Sequence, residues 1–155
     1  MDFRIRGLDP APFARYFAMG DAELARHRAA RRVADSKPGF PCRVSLADVE
    51  PGAPVILLNY EHLPVDSPYR ASHAIYVGAA AEPFDAVDVV PQAMRDRLLA
   101  VRAFDADGMM VDADIAEGRV VEPLIARLLE RPEVAYLHAH YARRGCFAAR
   151  IERAG

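Results

Sequence analysis

The chain has 155 residues, 52% of them hydrophobic and 27% charged, and a formal net charge of −2. That length suits one domain with a sizeable core, and the balance is globular, neither disordered nor fibrous. A charge so near neutral gives no reason to expect nucleic acid or an anionic membrane as a partner, and no run of 18 apolar residues exists to span a bilayer.

The opening residues, Met1-Asp2-Phe3-Arg4-Ile5-Arg6, lack the apolar stretch of a secretory signal, so a soluble cytoplasmic protein is expected. Cys42 and Cys146 are too few for a disulfide framework and lack zinc-site spacing; in a reducing compartment both are expected as free thiols. Lys37 is the only lysine among 20 basic residues. A GC-rich coding sequence produces such a bias, and so does a need for the planar, bidentate anion sites that lysine cannot make.

Phe3–Arg6 alternates and reads as a short strand closed by Gly7. Two helices are predicted next. The first covers Ala11 to Ala18, and the second starts behind Asp21 and carries the basic Arg26–Arg32 stretch on a solvated face. Ser36 to Pro41 is a turn-rich loop, after which Cys42–Leu46 is predicted as a strand. Val55-Ile56-Leu57-Leu58-Asn59-Tyr60 is an apolar run of strand length, predicted as a central strand. A polar loop from Glu61 to Ser72 and a strand at His73–Val77 follow.

Pro83 to Val90 reads as irregular, and Pro91 to Ala100 as helical with Pro91 at its first position. Asp107-Gly108 between two apolar stretches signals a hairpin. Asp105, Asp107 and Gly108 resemble a calcium loop only superficially, because Met109 and Met110 stand where that loop needs a ligand and its glycine. Val120–Glu130 is an amphipathic helix ended by Pro132. Val134–Ala142 and Cys146–Arg153 close the pattern as a second hairpin. Interspersed helices and strands with hairpin-length connections predict a single α+β domain, residues 1–155, with a largely antiparallel sheet flanked by a few helices.

The last hairpin carries the most chemistry. Alternation puts Tyr136, His138 and His140 on one face, and Leu137, Ala139 and Tyr141 on the other. Matching the apolar sets through a three-residue loop, Arg143-Arg144-Gly145, sets Tyr141 opposite Phe147, Ala139 opposite Ala149 and Leu137 opposite Ile151. Gly145 then takes the left-handed position of the loop. In this register His140 faces Ala148, His138 faces Arg150, and Cys146 joins the histidine face at the loop end.

Several readings of that patch stay open. His-x-His on a strand starts many metal sites, with further ligands drawn from His62, Glu61, His73 or Cys146, but Arg150 beside the pair repels a cation. A Cys–His dyad on Cys146 is a second reading. A plain reading makes Cys146 a small buried hydrophobe and the histidines ordinary hydrogen-bonding groups. A pocket for an anion is a fourth, because Arg43, Arg70, Ser72 and His73 begin predicted strands and Asn59-Tyr60-Glu61-His62 ends another.

Four stretches carry a family resemblance: Ala34 to Arg43, Leu58 to His62, Ser67 to Ile75, and His138 to Phe147. They resemble a bacterial domain-of-unknown-function family, number 1203. The chain departs from the family's pattern at Tyr141, where Asn is expected. The resemblance implies a bacterial cytoplasmic protein and assigns no activity.

The expectation is therefore a small-molecule binding or catalytic domain for an anionic or polar ligand. Cys42, Arg43, Asn59, Tyr60, His62, Arg70, Ser72, His140 and Arg150 are its candidate ligand-binding residues, and His73, His138 and Cys146 its candidate catalytic ones. Arginines would hold the anionic group and His73 or His138 would move a proton. No metal is expected, and nothing in the pattern specifies a cofactor. The alternative is a non-catalytic interaction module that presents the same patch to a second copy of the chain.

Overall fold

Period-two alternation along much of the chain resolves into two antiparallel sheets. The computed structural model describes residues 2–155. It contains β1 (Phe3–Arg6), β2 (Ala29–Val33), β3 (Pro54–Leu63), β4 (Ala71–Gly78), β5 (Asp85–Val87), β6 (Leu98–Phe104), β7 (Met110–Glu117), β8 (Tyr136–Tyr141) and β9 (Phe147–Arg153). Six strands form one sheet in the order β5-β1-β9-β8-β6-β7, and β2-β3-β4 form the second. The helices are a 3-10 helix at Ala11–Ala18, α1 (Asp21–Arg26), α2 (Gln92–Arg95), a 3-10 turn at Gly118–Val120 and α3 (Glu122–Leu129). The architecture is α+β with a largely antiparallel sheet. No helix among the described residues is long and apolar enough to cross a membrane.

The large sheet buries one face against α3. Leu137, Ala139 and Ile151 from β8 and β9 pack there with Leu124, Ile125, Leu128 and Leu129, the apolar stripe of that helix. The small sheet covers Ile56, Leu58, Ile75 and Val77 with Phe13, Leu24, Cys42 and Val44. A third cluster, Leu63 with Phe104 and Tyr136, lays the end of β3 on the other face of the large sheet.

Several predicted elements are corrected. The helix behind Asp21 stops at Arg26, Arg28 adopts a φ of +55°, and Ala29–Val33 pairs with β3 as a strand, so the basic stretch is not a helix face. Cys42–Leu46 is not a strand. Pro41 and Cys42 make only isolated bridges, to Asp48 and Tyr76, and a tight turn follows in which the Leu46 N–H donates to the Cys42 carbonyl. Glu61 and His62 belong to β3, not to a loop, because β3 continues past a register shift between Tyr60 and Leu63. Asp85–Val87 pairs with β1, and the helix after Pro91 ends at Arg95, since Leu98 onward is claimed by β7 and β8.

The closing hairpin keeps the expected register along most of its length: Leu137 faces Ile151, His138 faces Arg150 and Ala139 faces Ala149. Gly145 takes the left-handed φ, +79°. Near the loop a bulge inserts one residue, so that His140 faces Phe147 and not Ala148. This moves Phe147 onto the histidine face and carries Cys146 to the opposite face, into the core with Tyr141. Both placements correct the expected ones.

Candidate functional site

Arg43 is fixed first through its backbone. Its N–H donates to the Tyr76 carbonyl of β4, and its carbonyl accepts from Leu8, just beyond β1, so the residue is pinned between the two sheets. Its side chain is 1% exposed. The guanidinium donates from Nε to the Phe147 carbonyl at 2.6 Å, from Nη1 to the Pro41 carbonyl at 2.5 Å, and from Nη2 to Cys146 Sγ at 3.0 Å. All three acceptors are uncharged backbone or sulfur groups, and Arg43 makes no ion pair among the described residues. A buried guanidinium without a carboxylate is unusual, because burial of a charge is unfavourable unless it is compensated.

Tyr141 stands beside it. The Arg43 guanidinium carbon lies 4.8 Å from the centre of the Tyr141 ring and that of Arg97 lies 5.1 Å away, which gives the ring two cations as neighbours. The two arginines differ in one respect. Arg97 holds the buried carboxylate of Asp48 through both terminal nitrogens, at 2.7 and 2.9 Å, whereas Arg43 has no such partner. Burial would raise the Asp48 carboxyl, but the Arg97 hydrogen bonds and the Gly39 N–H hold it below its ordinary value. Burial drives the Tyr141 phenol up to about 12 against the pull of both arginines, so it stays an O–H donor. Its hydroxyl has no hydrogen-bond partner among the described residues.

Arg43, Arg97 and Tyr141 line a cavity of about 890 Å³ between the two sheets. Phe40, Tyr76 and Leu57 give it an apolar wall, with the Phe40 and Tyr76 rings 5.1 Å apart. Arg143 and Arg144 stand at its rim with Asp96 and Glu117.

Of the twelve residues singled out from the sequence, Arg43, His73 and Cys146 line this cavity. Cys42 is fully buried behind it, its Sγ accepting from the Gly78 N–H. Asn59 and Tyr60 line a smaller cavity of about 300 Å³ beside the 3-10 helix. Arg70 pairs with Glu61 at the surface, Ser72 is exposed, and Arg150 stacks on Tyr136 and pairs with Glu152. His62, His138 and His140 gather elsewhere. The structure thus divides the expected single pocket among separate places. Tyr141, Arg97 and Asp48 were not singled out from the sequence, which holds no local signal to separate Arg97 from eighteen other arginines.

The three histidines cluster where β3 crosses β8, with ring centres 5.0 to 6.4 Å apart and Phe147 stacked on His62. His138 is 2% exposed and lies across the ladder from Arg102 on one side and Arg150 on the other. Burial, with the neighbouring rings and guanidiniums, pushes His138 and His140 down to about 3 and His62 to about 4. All three are neutral near pH 7. His140 Nδ1 is 2.9 Å from the Gly145 carbonyl, to which the neutral ring donates. Among the described residues no set of three or more His, Cys, Asp or Glu side chains is arranged to hold a metal ion.

Residues 39–153 match the family described as protein of unknown function, DUF1203. The chain belongs to that family. The match takes in Arg43, Asp48, Arg97, Tyr141 and Cys146, so in this DUF1203 chain the whole buried end of the cavity lies inside the family domain. Neither the curated proteins nor the solved structures contain a match to it.

Proposed function

We propose that this DUF1203 protein binds a small anionic molecule in the cavity between its sheets, with Arg43 receiving the acid group. The uncompensated charge of Arg43 carries the reading. Three of its five N–H groups are used within the chain, leaving two as donors for an incoming oxyanion. The orphaned Tyr141 hydroxyl adds a third donor at the same end, and Phe40, Tyr76 and Leu57 offer an apolar surface to the remainder of the ligand. His73 also lines the cavity and supplies an imidazole for proton transfer to or from the bound molecule.

The test uses benzoate and inorganic phosphate as probes, read by thermal unfolding and titration calorimetry. A bound anion at about a hundred times its Kd stabilises the folded chain by roughly 2.7 kcal/mol. Binding by the native protein, lost in Arg43→Met and weakened in Tyr141→Phe, is the expected result. Equal binding by the native chain and Tyr141→Phe, or no stabilisation by either probe, would refute the proposal.

A further inference from the structure

Cys146 closes the same corner of the cavity, and its surroundings are those of a sulfur prepared to carry an oxygen. Arg43 Nη2 donates directly to Sγ. The Tyr141 phenol, 5% exposed and without a partner, lines the same wall. Each of these donors is short of an anionic acceptor, and Cys146 itself is 8% exposed through the cavity. The contrast with the second cysteine is internal to the chain. Cys42 is fully buried, does not line the cavity, and receives a neutral backbone N–H.

We propose that Cys146 is a peroxide-reactive thiol whose oxidised sulfur supplies, from within the chain, the negative oxygen that Arg43 and Tyr141 lack. The co-reactant is a hydroperoxide. The sulfur attacks the nearer peroxide oxygen, so that an S–O bond forms as the O–O bond breaks. Sulfur is oxidised by two electrons and the peroxide is reduced. The thiol proton passes to the departing oxygen, which leaves as water from hydrogen peroxide or as an alcohol from an alkyl hydroperoxide, and Cys146 becomes a sulfenic acid. Arg43 stabilises the negative charge that develops on the leaving oxygen; the sulfenic acid then gives up its own O–H proton to water, and the resulting sulfenate oxygen accepts from the Tyr141 O–H and the Arg43 fork. No exogenous anion is needed, so this modification stands or falls separately from ligand binding.

The experiment exposes the full chain to hydrogen peroxide, traps sulfenic acid with dimedone, and follows each cysteine by mass spectrometry. Cys146 is expected to acquire the adduct about tenfold faster than Cys42. Tyr141→Phe, which keeps the ring and its packing, is expected to slow the peroxide reaction roughly fivefold while leaving the iodoacetamide rate at Cys146 about unchanged, which separates chemistry from access. Arg43→Met is the stronger variant where circular dichroism shows it folded. Equal oxidation of the two cysteines, no adduct until denaturant is added, or an unaltered peroxide rate in Tyr141→Phe would each overturn the proposal.

Discussion

Phe147 faces His140 across the β8–β9 ladder, and the bulge that puts it there turns its ring onto buried His138 and His140 and half-buried His62. Phe147 also reaches Tyr60 of the small sheet, with ring centres 6.2 Å apart, so one side chain ties the two sheets together. Phe147→Ala removes that tie and leaves a void beside uncharged imidazoles. A loss of about 3–5 kcal/mol in urea denaturation is expected. A loss under about 1 kcal/mol would mean that the sheets are held by other contacts.

The histidine cluster makes the fold acid-sensitive. His138 and His140 titrate near 3 when folded but near 6.5 when unfolded, so between those values the unfolded chain binds more protons. Their contribution is fully present above about pH 6.5 and is lost as pH falls towards the folded values. Each proton adds a slope of up to about 1.4 kcal/mol per pH unit. Urea midpoints should therefore fall steeply from pH 7.5 to 5.5, a window above the titration of Asp48, whose carboxyl is held low. In His138→Gln the slope should shrink by about one proton, whatever the variant's stability at pH 7.5. A flat profile across the window would contradict the burial of these rings as neutral groups.

Asp48 and Arg97 form an ion pair at the cavity wall, with the Asp48 side chain 4% exposed and that of Arg97 20%. Asp48→Asn leaves Arg97 without its carboxylate and should lower stability by about 3 kcal/mol. Arg97→Met should do similar damage. The double variant should be destabilised by clearly less than the sum of the two, as a double-mutant cycle measures directly. Additive losses would show that the pair is not coupled.

Two glycines should respond in opposite ways. At Gly145 the φ of +79° opposes any side chain, yet an added Cβ would meet nothing within 4 Å. Gly145→Ala should therefore fold with a loss of about 1 kcal/mol. At Gly118 an added Cβ would fall 1.8 Å from the Met94 carbonyl oxygen, backbone that cannot yield cheaply. Gly118→Ala should fail to give soluble folded protein, and near-native stability by thermal unfolding would be inconsistent with this close approach.

Local pattern carried those elements whose period and turns are self-contained. β1, the β6–β7 hairpin around Gly108 and most of the β8–β9 register follow from alternation and turn chemistry alone. Where it failed, a distant strand decided the outcome. Leu98–Ala100 has helical neighbours, but pairing with His140 and Tyr141 on one side and β7 on the other draws it into the sheet. Ala29–Val33 leaves its helix for β3 in the same way. The site was legible in part. Arg43 and Cys146 were both singled out, but a one-residue bulge, which no periodicity reveals, decided the face that Cys146 takes. Tyr141 looked like an ordinary core aromatic. What sets it apart is the two guanidiniums, distant in sequence, that the fold brings beside its ring.

The place of β1 in the large sheet sets a schedule for the nascent chain. Residues Phe3–Arg6 are synthesised before both of their partners, Asp85–Val87 on one edge and Phe147–Arg153 on the other. Phe3 and Ile5, both core residues, meet β5 first and are enclosed between two strands only once β9 has been made. The two parts of the large sheet cannot be joined before β9, which lies between β1 and β8, has been made, and that joining is a non-local step, slow by the general dependence of rate on sequence separation. Until β9 docks, Phe3 and Ile5 remain partly uncovered, which makes the chain at that stage, more than the folded protein, the species at risk of aggregation.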